Sequence, residues 1–508
     1  MMASYPRMYK IERLARGEQP RVLDLFSGCG GLSLGFHSAG FQIIGNVEID
    51  PLAARTYARN FHASGGKEQQ ELHARPRDIT CLEPEDCLRE LYPNEEPALL
   101  VDVIVGGPPC QAFARIGRAK LREVAGHPHA FKMDPRATLY LRFLHYVRIL
   151  QPVAILMENV PDILNYAGRN IPQEICNILE KLGYVCSYTL LNAVHYGVPQ
   201  MRERMFLIGL ARELDVEPEF PSATHWIDLP AGYEMTRRAL KQVARGNNYV
   251  EPPAGNFCLK NAVTVREAIG DLPVITAHLE GKLGLGPKPL TVYMPYPDNV
   301  DVSEYARLMR NWPGFESSGG IYDHVIRYLP RDYPIFKRMK PGEEYPEAYC
   351  RALEIFKEKL EQLRRAGEVI EEGSERYRWL MATTVPPYDP EKFPNKWRKL
   401  EPDMPARTLT AHISKDTYSH IHYDSMQART ISVREAARLQ SFPDGFRFEG
   451  TMNPAFRQIG NAVPPLLAKA IAGTILACLQ KSGCRTEYTA ASHGAHAGGT
   501  QRAGTAAF

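Results

Sequence analysis

The chain has 508 residues, 44% hydrophobic and 23% charged, enough for two or three globular units with buried cores. No run approaches 18 consecutive apolar residues and Met1–Lys10 lack an apolar core, so neither a membrane span nor a signal peptide is expected, and the cytoplasm is the expected location. A net charge of +3 neither demands nor forbids a nucleic-acid partner, while ten cysteines without a C-x-x-C pair argue against a structural zinc site or a disulfide framework.

After an N-terminal arm (1–16), residues 17–225 alternate short β-rich runs with helical patterns, which predicts an α/β domain. The first strand, Val22–Phe26, carries Asp24 and runs into Ser27, Gly28, Cys29, Gly30 and Gly31. A glycine cluster there lets the backbone approach a ligand closely, although a plain tight turn gives the same composition. The second strand, Gln42–Glu48, ends on a carboxylate able to bind both hydroxyls of a ribose. The glycine spacing is not G-x-G-x-x-G, so an adenosine-containing ligand fits better than a nicotinamide dinucleotide.

The third strand, Val101–Val105, leads into Gly106-Gly107-Pro108-Pro109-Cys110-Gln111. A buried structural cysteine is the default, yet a thiol on a proline-stiffened loop at a ligand-facing strand end reads as a nucleophile. Gln111–Asp134 is a long basic stretch with Arg115, Arg118, Lys120 and Arg122, suited to a lid over phosphates. The strand Val153–Glu158 ends on a carboxylate; an exposed strand end is the bland reading, a desolvated proton donor the functional one. Val185–Asn192 and Met205–Leu210 complete the predicted strands, and Arg202 and Arg204 before the last could clamp an anion or a base together.

From 226 to 426 the alternation is lost and Pro and Gly become frequent, as in a smaller irregular recognition domain. One amphipathic helix is predicted there, Glu347–Ala366, with Leu353, Phe356, Leu360 and Leu363 on one stripe. His412–Tyr423, including Lys415, is rich in side chains that reach phosphates and base edges, though a solvated loop has the same composition. Capping boxes start helices at Thr264/Glu267 and Ser432/Glu435. Residues 427–480 return to the regular style with a final apolar helix within Asn453–Leu479, and 481–508 are expected to be a disordered tail.

In order, Asp24-Leu25-Phe26-Ser27-Gly28, Pro109-Cys110-Gln111, Glu158-Asn159-Val160, Gln200/Arg202/Arg204, Ser432–Pro443 and Arg457–Pro464 resemble the signatures of the C5-cytosine DNA methyltransferase family. The segment Asp134–Leu139 is similar to the motif after that family's catalytic loop, and the likeness covers about 20–225 and 400–480. It implies a Rossmann-like S-adenosylmethionine-dependent fold with a mixed sheet, and methyl transfer to cytosine C5 in double-stranded DNA. Cys110 would be the nucleophile, Glu158 the proton donor, and Arg202 and Arg204 the base clamp. Asp24, Phe26, Ser27, Gly28, Gly30, Gly31, Glu48, Ile49, Asp78, Ile79, Pro108, Leu139, Asn461 and Val463 would form the cofactor site, with no metal. Gln111, Arg115, Arg118 and Lys415 would contact DNA. The bacterial type, which acts either solitarily or in a restriction-modification system with a cognate restriction endonuclease as functional partner, implies a monomer. Two departures stand out: Ala114 where the family commonly has serine, and a long polar segment ahead of Asp78. Modification of tRNA cytosine, a catalytically silent DNA-binding protein and a NAD-dependent oxidoreductase are the competing classes; the large recognition region weighs against the first, Cys110, Glu158 and Arg204 against the second, and the glycine spacing with the Pro-Pro-Cys loop against the third.

Overall fold

The computed structural model describes residues 5–109, 139–166, 168–233, 248–253, 255–284 and 286–494, with side chains to 481. Helix α1 (Tyr5–Ala15) precedes β1 (Arg21–Leu25), α2 (Gly31–Ser38), β2 (Gln42–Val47), α3 (Pro51–Phe61) and β3 (Val103–Gly106). Then come α4 (Leu139–Leu150), β4 (Ala154–Asn159), β5 (Tyr184–Asn192) and β6 (Glu203–Ala211). These six strands form one mixed sheet in the order β2-β1-β3-β4-β6-β5, parallel from β2 to β4, with β6 antiparallel to both neighbours. All six predicted strands are present. Helices cover both faces, which is why Val103-Ile104-Val105 and Ala154–Met157 are continuous, wholly buried apolar runs.

The α/β expectation therefore holds, and parallel strands whose carboxyl ends lie together fix where a ligand cleft can form. Beyond the sheet lie, among other helices, α5 (Val265–Ile269), α6 (Tyr345–Arg365), α7 (Val433–Leu439), α8 (Met452–Asn461) and α9 (Pro465–Gly494). The capping boxes at Thr264 and Ser432 both form. In α6 the deeply buried face carries Ala348, Ala352, Ile355 and Phe356, while Leu353, Leu360 and Leu363 are only partly covered. Helix α9 runs on to Gly494, into the stretch 481–508 expected to be a disordered tail, of which 495–508 lie outside the described residues. An existing helix elongates without a new nucleation cost, so Ala-containing sequence can follow it.

The stretch 226–426 is divided by its packing rather than folded as one body. Val265, Ile269, Leu290, Trp312 and Phe315 share a core with Cys29 and Leu34 and with Ala436, Phe442 and Phe456. A separate core gathers Tyr333, Phe336, Tyr345, Phe356 and Trp397. Residue 226 is thus no break in packing.

A buried charge network ties the first of these cores to the return segment. The fully buried Arg438 guanidinium donates to Asp271 at 3.0 Å and to Asp444 at 2.6 Å. Arg310 reaches the same Asp271 at 2.6 Å, and Tyr296 Oη donates to Asp444 at 2.5 Å. Removing the central cation leaves two desolvated carboxylates without their shared partner. Arg438→Leu is expected to lower unfolding free energy by about 3–5 kcal/mol in chemical denaturation; a loss under about 1 kcal/mol would show that the network is not what joins these segments.

Candidate active site

At the carboxyl ends of β1 to β4 lies a cleft of about 840 Å3, within the usual range for a small-molecule site. One end is built by the β1–α2 turn. Phe26 (φ +58°) and Gly28 (φ +55°) take left-handed conformations that fold the turn back over β2, where the N–H of Phe26 bonds Val47 O at 2.9 Å. Gly31 must lack a side chain because a Cβ there would lie 2.3 Å from Val463 O. The α8–α9 junction and the glycine turn are therefore opposite walls in direct contact.

Glu48 follows β2, and its two carboxyl oxygens accept the N–H of Gly28 at 2.8 Å and of Asp50 at 2.7 Å. Burial pushes this carboxyl above the usual range, opposed by those N–H bonds. Ile49 beside it is 63% exposed, a large apolar side chain in the cleft wall near Phe26. Ser27, Asp78, Ile79, Pro108, Leu139, Asn461 and Val463 also line this space. Asp78 Oδ1 meanwhile caps its own turn, accepting from Thr80 N–H and Oγ1.

Two residues predicted in the cofactor set stand behind it. Asp24 is wholly buried, accepts from Ser33 Oγ at 2.7 Å, and is pushed up to about 7 by burial. Gly30 is the N-cap of α2, with a Cβ position that would strike the Phe61 ring. Both shape the turn from beneath.

The other end is chemical in a different way. Glu158, the penultimate residue of β4, has a side chain 13% exposed and pairs with Arg204 Nε at 3.1 Å. Burial raises its carboxyl, with Arg204 and then Arg202 pulling the other way. Gly107 passes so close that a Cβ would meet Glu158 Oε2 at 2.9 Å. Asn159 donates to Pro108 O at 2.8 Å, tying β4 to the chain two residues ahead of Cys110. Cys110, Gln111, Arg115 and Arg118, and the lid expected over 111–134, lie outside the described residues.

Arg202 lines the cleft, but its guanidinium is spent on backbone, donating to Leu409 O at 2.6 Å and Gly460 O at 3.2 Å. It fixes a wall, and among the described residues the ion pair to Glu158 comes from Arg204. Lys415 is exposed and does not line the cleft. Sequence reading missed Thr410 and Ala411, which reach the cleft because Gly460 packs against Thr410 with no room for a Cβ. It also missed Asp50 and Arg457 as cleft residues and the brace from Gln200 through Gln440 to Ala462 O. No local pattern announces these contacts, which join segments from 22 to 407 positions apart.

An open α/β sheet thus brings a glycine turn, the acidic residue after the next strand and a carboxylate–arginine pair into one cleft with two chemically distinct ends. The sequence profile of the family described as C-5 cytosine-specific DNA methylase matches residues 20–272 and 323–477. The chain belongs to that family and is an enzyme of it. Over 468 residues it is 39% identical to the Oceanobacillus iheyensis protein named "Putative type II methyltransferase M.OihORF3336P", covering 92% of this chain and 97% of that one. It is 31% identical to the type II methyltransferase M.AgeI of Thalassovita gelatinovora, over 90% of this chain and 99% of that one. A prophage-encoded E. coli protein of known structure superposes with TM-score 0.56 at 24% identity, covering 91% of this chain and 99% of that one, a likeness of fold.

Proposed function

We propose that the enzyme transfers a methyl group from S-adenosylmethionine to C5 of a cytosine turned out of a specific duplex DNA sequence. The observation that carries this reading is one continuous cleft with the glycine turn and Glu48 at one end and the Glu158–Arg204 pair at the other. Pro109, the residue before Cys110, is in its wall.

The cofactor end suits an adenosine group: Phe26 and exposed Ile49 offer apolar cover for a flat ring, and Glu48 offers a half-buried acceptor to ribose hydroxyls. S-adenosylmethionine, when bound, supplies the electrophilic methyl group. The chain's own residues make cytosine able to accept it. The Cys110 thiolate gives its electron pair to C6, and the C5=C6 pair moves onto C5, which forms the new bond to carbon. Glu158 in its neutral form donates a proton to N3 as charge builds on the ring, and Arg204 orients that carboxyl. Afterwards the C5 proton leaves to solvent, N3 returns its proton, the C5=C6 bond reforms, and the C6–S bond breaks to restore the thiolate. Arg202 holds the wall behind this chemistry. Extruding the base costs roughly a few kcal/mol, offset by contacts from the basic 111–134 segment and the recognition region.

The type II names of the two relatives support a role beside a cognate restriction endonuclease; we take the chain to act as a cytoplasmic monomer. Plasmid DNA incubated with enzyme and S-adenosylmethionine, then read by bisulfite sequencing, should show methylcytosine at one recurring sequence. Incorporation into tRNA but not plasmid would move the substrate to RNA. Glu48→Ala should weaken S-adenosylmethionine binding roughly tenfold or more in calorimetry, the size of hydrogen bonds to a charged acceptor. Unchanged affinity would remove Glu48 from the ribose site.

A further inference from the structure

Asp50 and Arg457, 407 positions apart, meet at the cleft edge, where Arg457 Nη2 donates to Asp50 Oδ2 at 2.5 Å. Asp50 is anchored twice over. Its Oδ1 caps α3 by accepting from Leu52 and Ala53 N–H, and its own N–H is held by Glu48 Oε1 at 2.7 Å. Glu48 in turn holds the glycine turn through Gly28 N–H. Arg457 projects from α8, the helix that ends in Asn461 and continues to Val463, whose carbonyl presses on Gly31.

Tracing these contacts closes a ring: Gly28, Glu48, Asp50, Arg457, α8, Val463, Gly31. Farther along, α3 is stapled to the return segment by Arg59–Glu449 at 2.6 Å and by Asn60, which donates to Arg447 O and accepts its N–H. Most of this ring is backbone or buried, whereas the Arg457–Asp50 link is a half-exposed ion pair, with side chains 47% and 29% exposed. Such a pair is the weakest joint of the ring and the one most sensitive to salt.

We propose that Arg457 and Asp50 are positioning residues that close the cofactor end of the cleft, so that opening this pair sets how fast S-adenosylmethionine leaves. The inference rests on the cofactor reading above. Asp50→Asn separates the cap from the ion pair, because the amide oxygen still accepts from Leu52 and Ala53 while the second oxygen is lost. Arg457→Gln removes the other partner, and Arg457→Lys keeps a charge without the fork.

The experiment is a chase of bound radiolabelled S-adenosylmethionine by excess unlabelled compound, with melting temperatures measured in parallel. Asp50→Asn and Arg457→Gln should each speed dissociation about fivefold at low salt, equivalent to about 1 kcal/mol. The double variant should be no faster than either single, Arg457→Lys should lie between, and raising salt should bring wild type toward the variants. Melting temperatures of both singles should stay near wild type, since the cap and the staples of α3 remain. Additive effects in the double variant, or singles that match wild-type dissociation, overturn the inference while leaving the cofactor reading in place. A wild-type chain that retains no S-adenosylmethionine overturns that reading, and the inference with it.

Discussion

Cys110→Ser is expected to abolish methylation, lowering the rate by at least about ten-thousandfold, while leaving DNA binding intact. A thiol of pKa about 8.5 supplies a usable thiolate fraction near neutral pH, whereas a serine hydroxyl does not. Phosphate and base-edge contacts fall to other side chains, so affinity for target DNA should survive. A duplex with 5-fluorocytosine at the target tests the same bond directly. Fluorine at C5 cannot leave as a proton does, so the C6–S bond should persist as a denaturant-resistant adduct, formed only with S-adenosylmethionine present. Peptide mapping must place it on the peptide containing Pro109-Cys110-Gln111. An adduct on another cysteine, or an active serine variant, would overturn the mechanism.

Replacing Glu158 by Gln should lower kcat by roughly a hundredfold to ten-thousandfold, the range for loss of a positioned general acid. Glutamine keeps an oxygen for Arg204 Nε, so the Glu158–Arg204 contact at 3.1 Å is weakened, not erased, and folding should survive. The pH profile carries the more specific signature. Burial holds the Glu158 carboxyl above its usual range, and its neutral, donating form is lost as pH rises through that value. Wild-type enzyme should therefore show a descending alkaline limb that the glutamine variant lacks. An alkaline limb unchanged in Glu158→Gln would assign that titration to another group and remove Glu158 as the proton donor.

Much of this enzyme was legible in its sequence because its chemistry sits at strand ends. A run such as Val103-Ile104-Val105 can only be a strand covered on both faces, and the residues that follow it must emerge at the sheet edge. Glu48 and Glu158 each lie at or just beyond a strand's carboxyl end, so local pattern placed them within one crevice before any coordinates. Capping boxes at Thr264 and Ser432 were equally readable, because a cap is satisfied within four residues.

What the tertiary structure decided is which of these side chains faces the cleft and what closes it. Alternation put Arg202 and Arg204 on one side, but Arg202 is consumed by Leu409 O and Gly460 O, carbonyls that only folding brings near. Asp24 reads as a ligand contact in the motif, yet it is buried beneath the turn and bonded to Ser33. The division of 226–426 into two packing units, the Thr410–Ala411 wall and the Arg457–Asp50 closure all depend on segments distant in sequence meeting in space. Local periodicity reports which way a residue points relative to its own element. It carries no information on which distant backbone will arrive to use it.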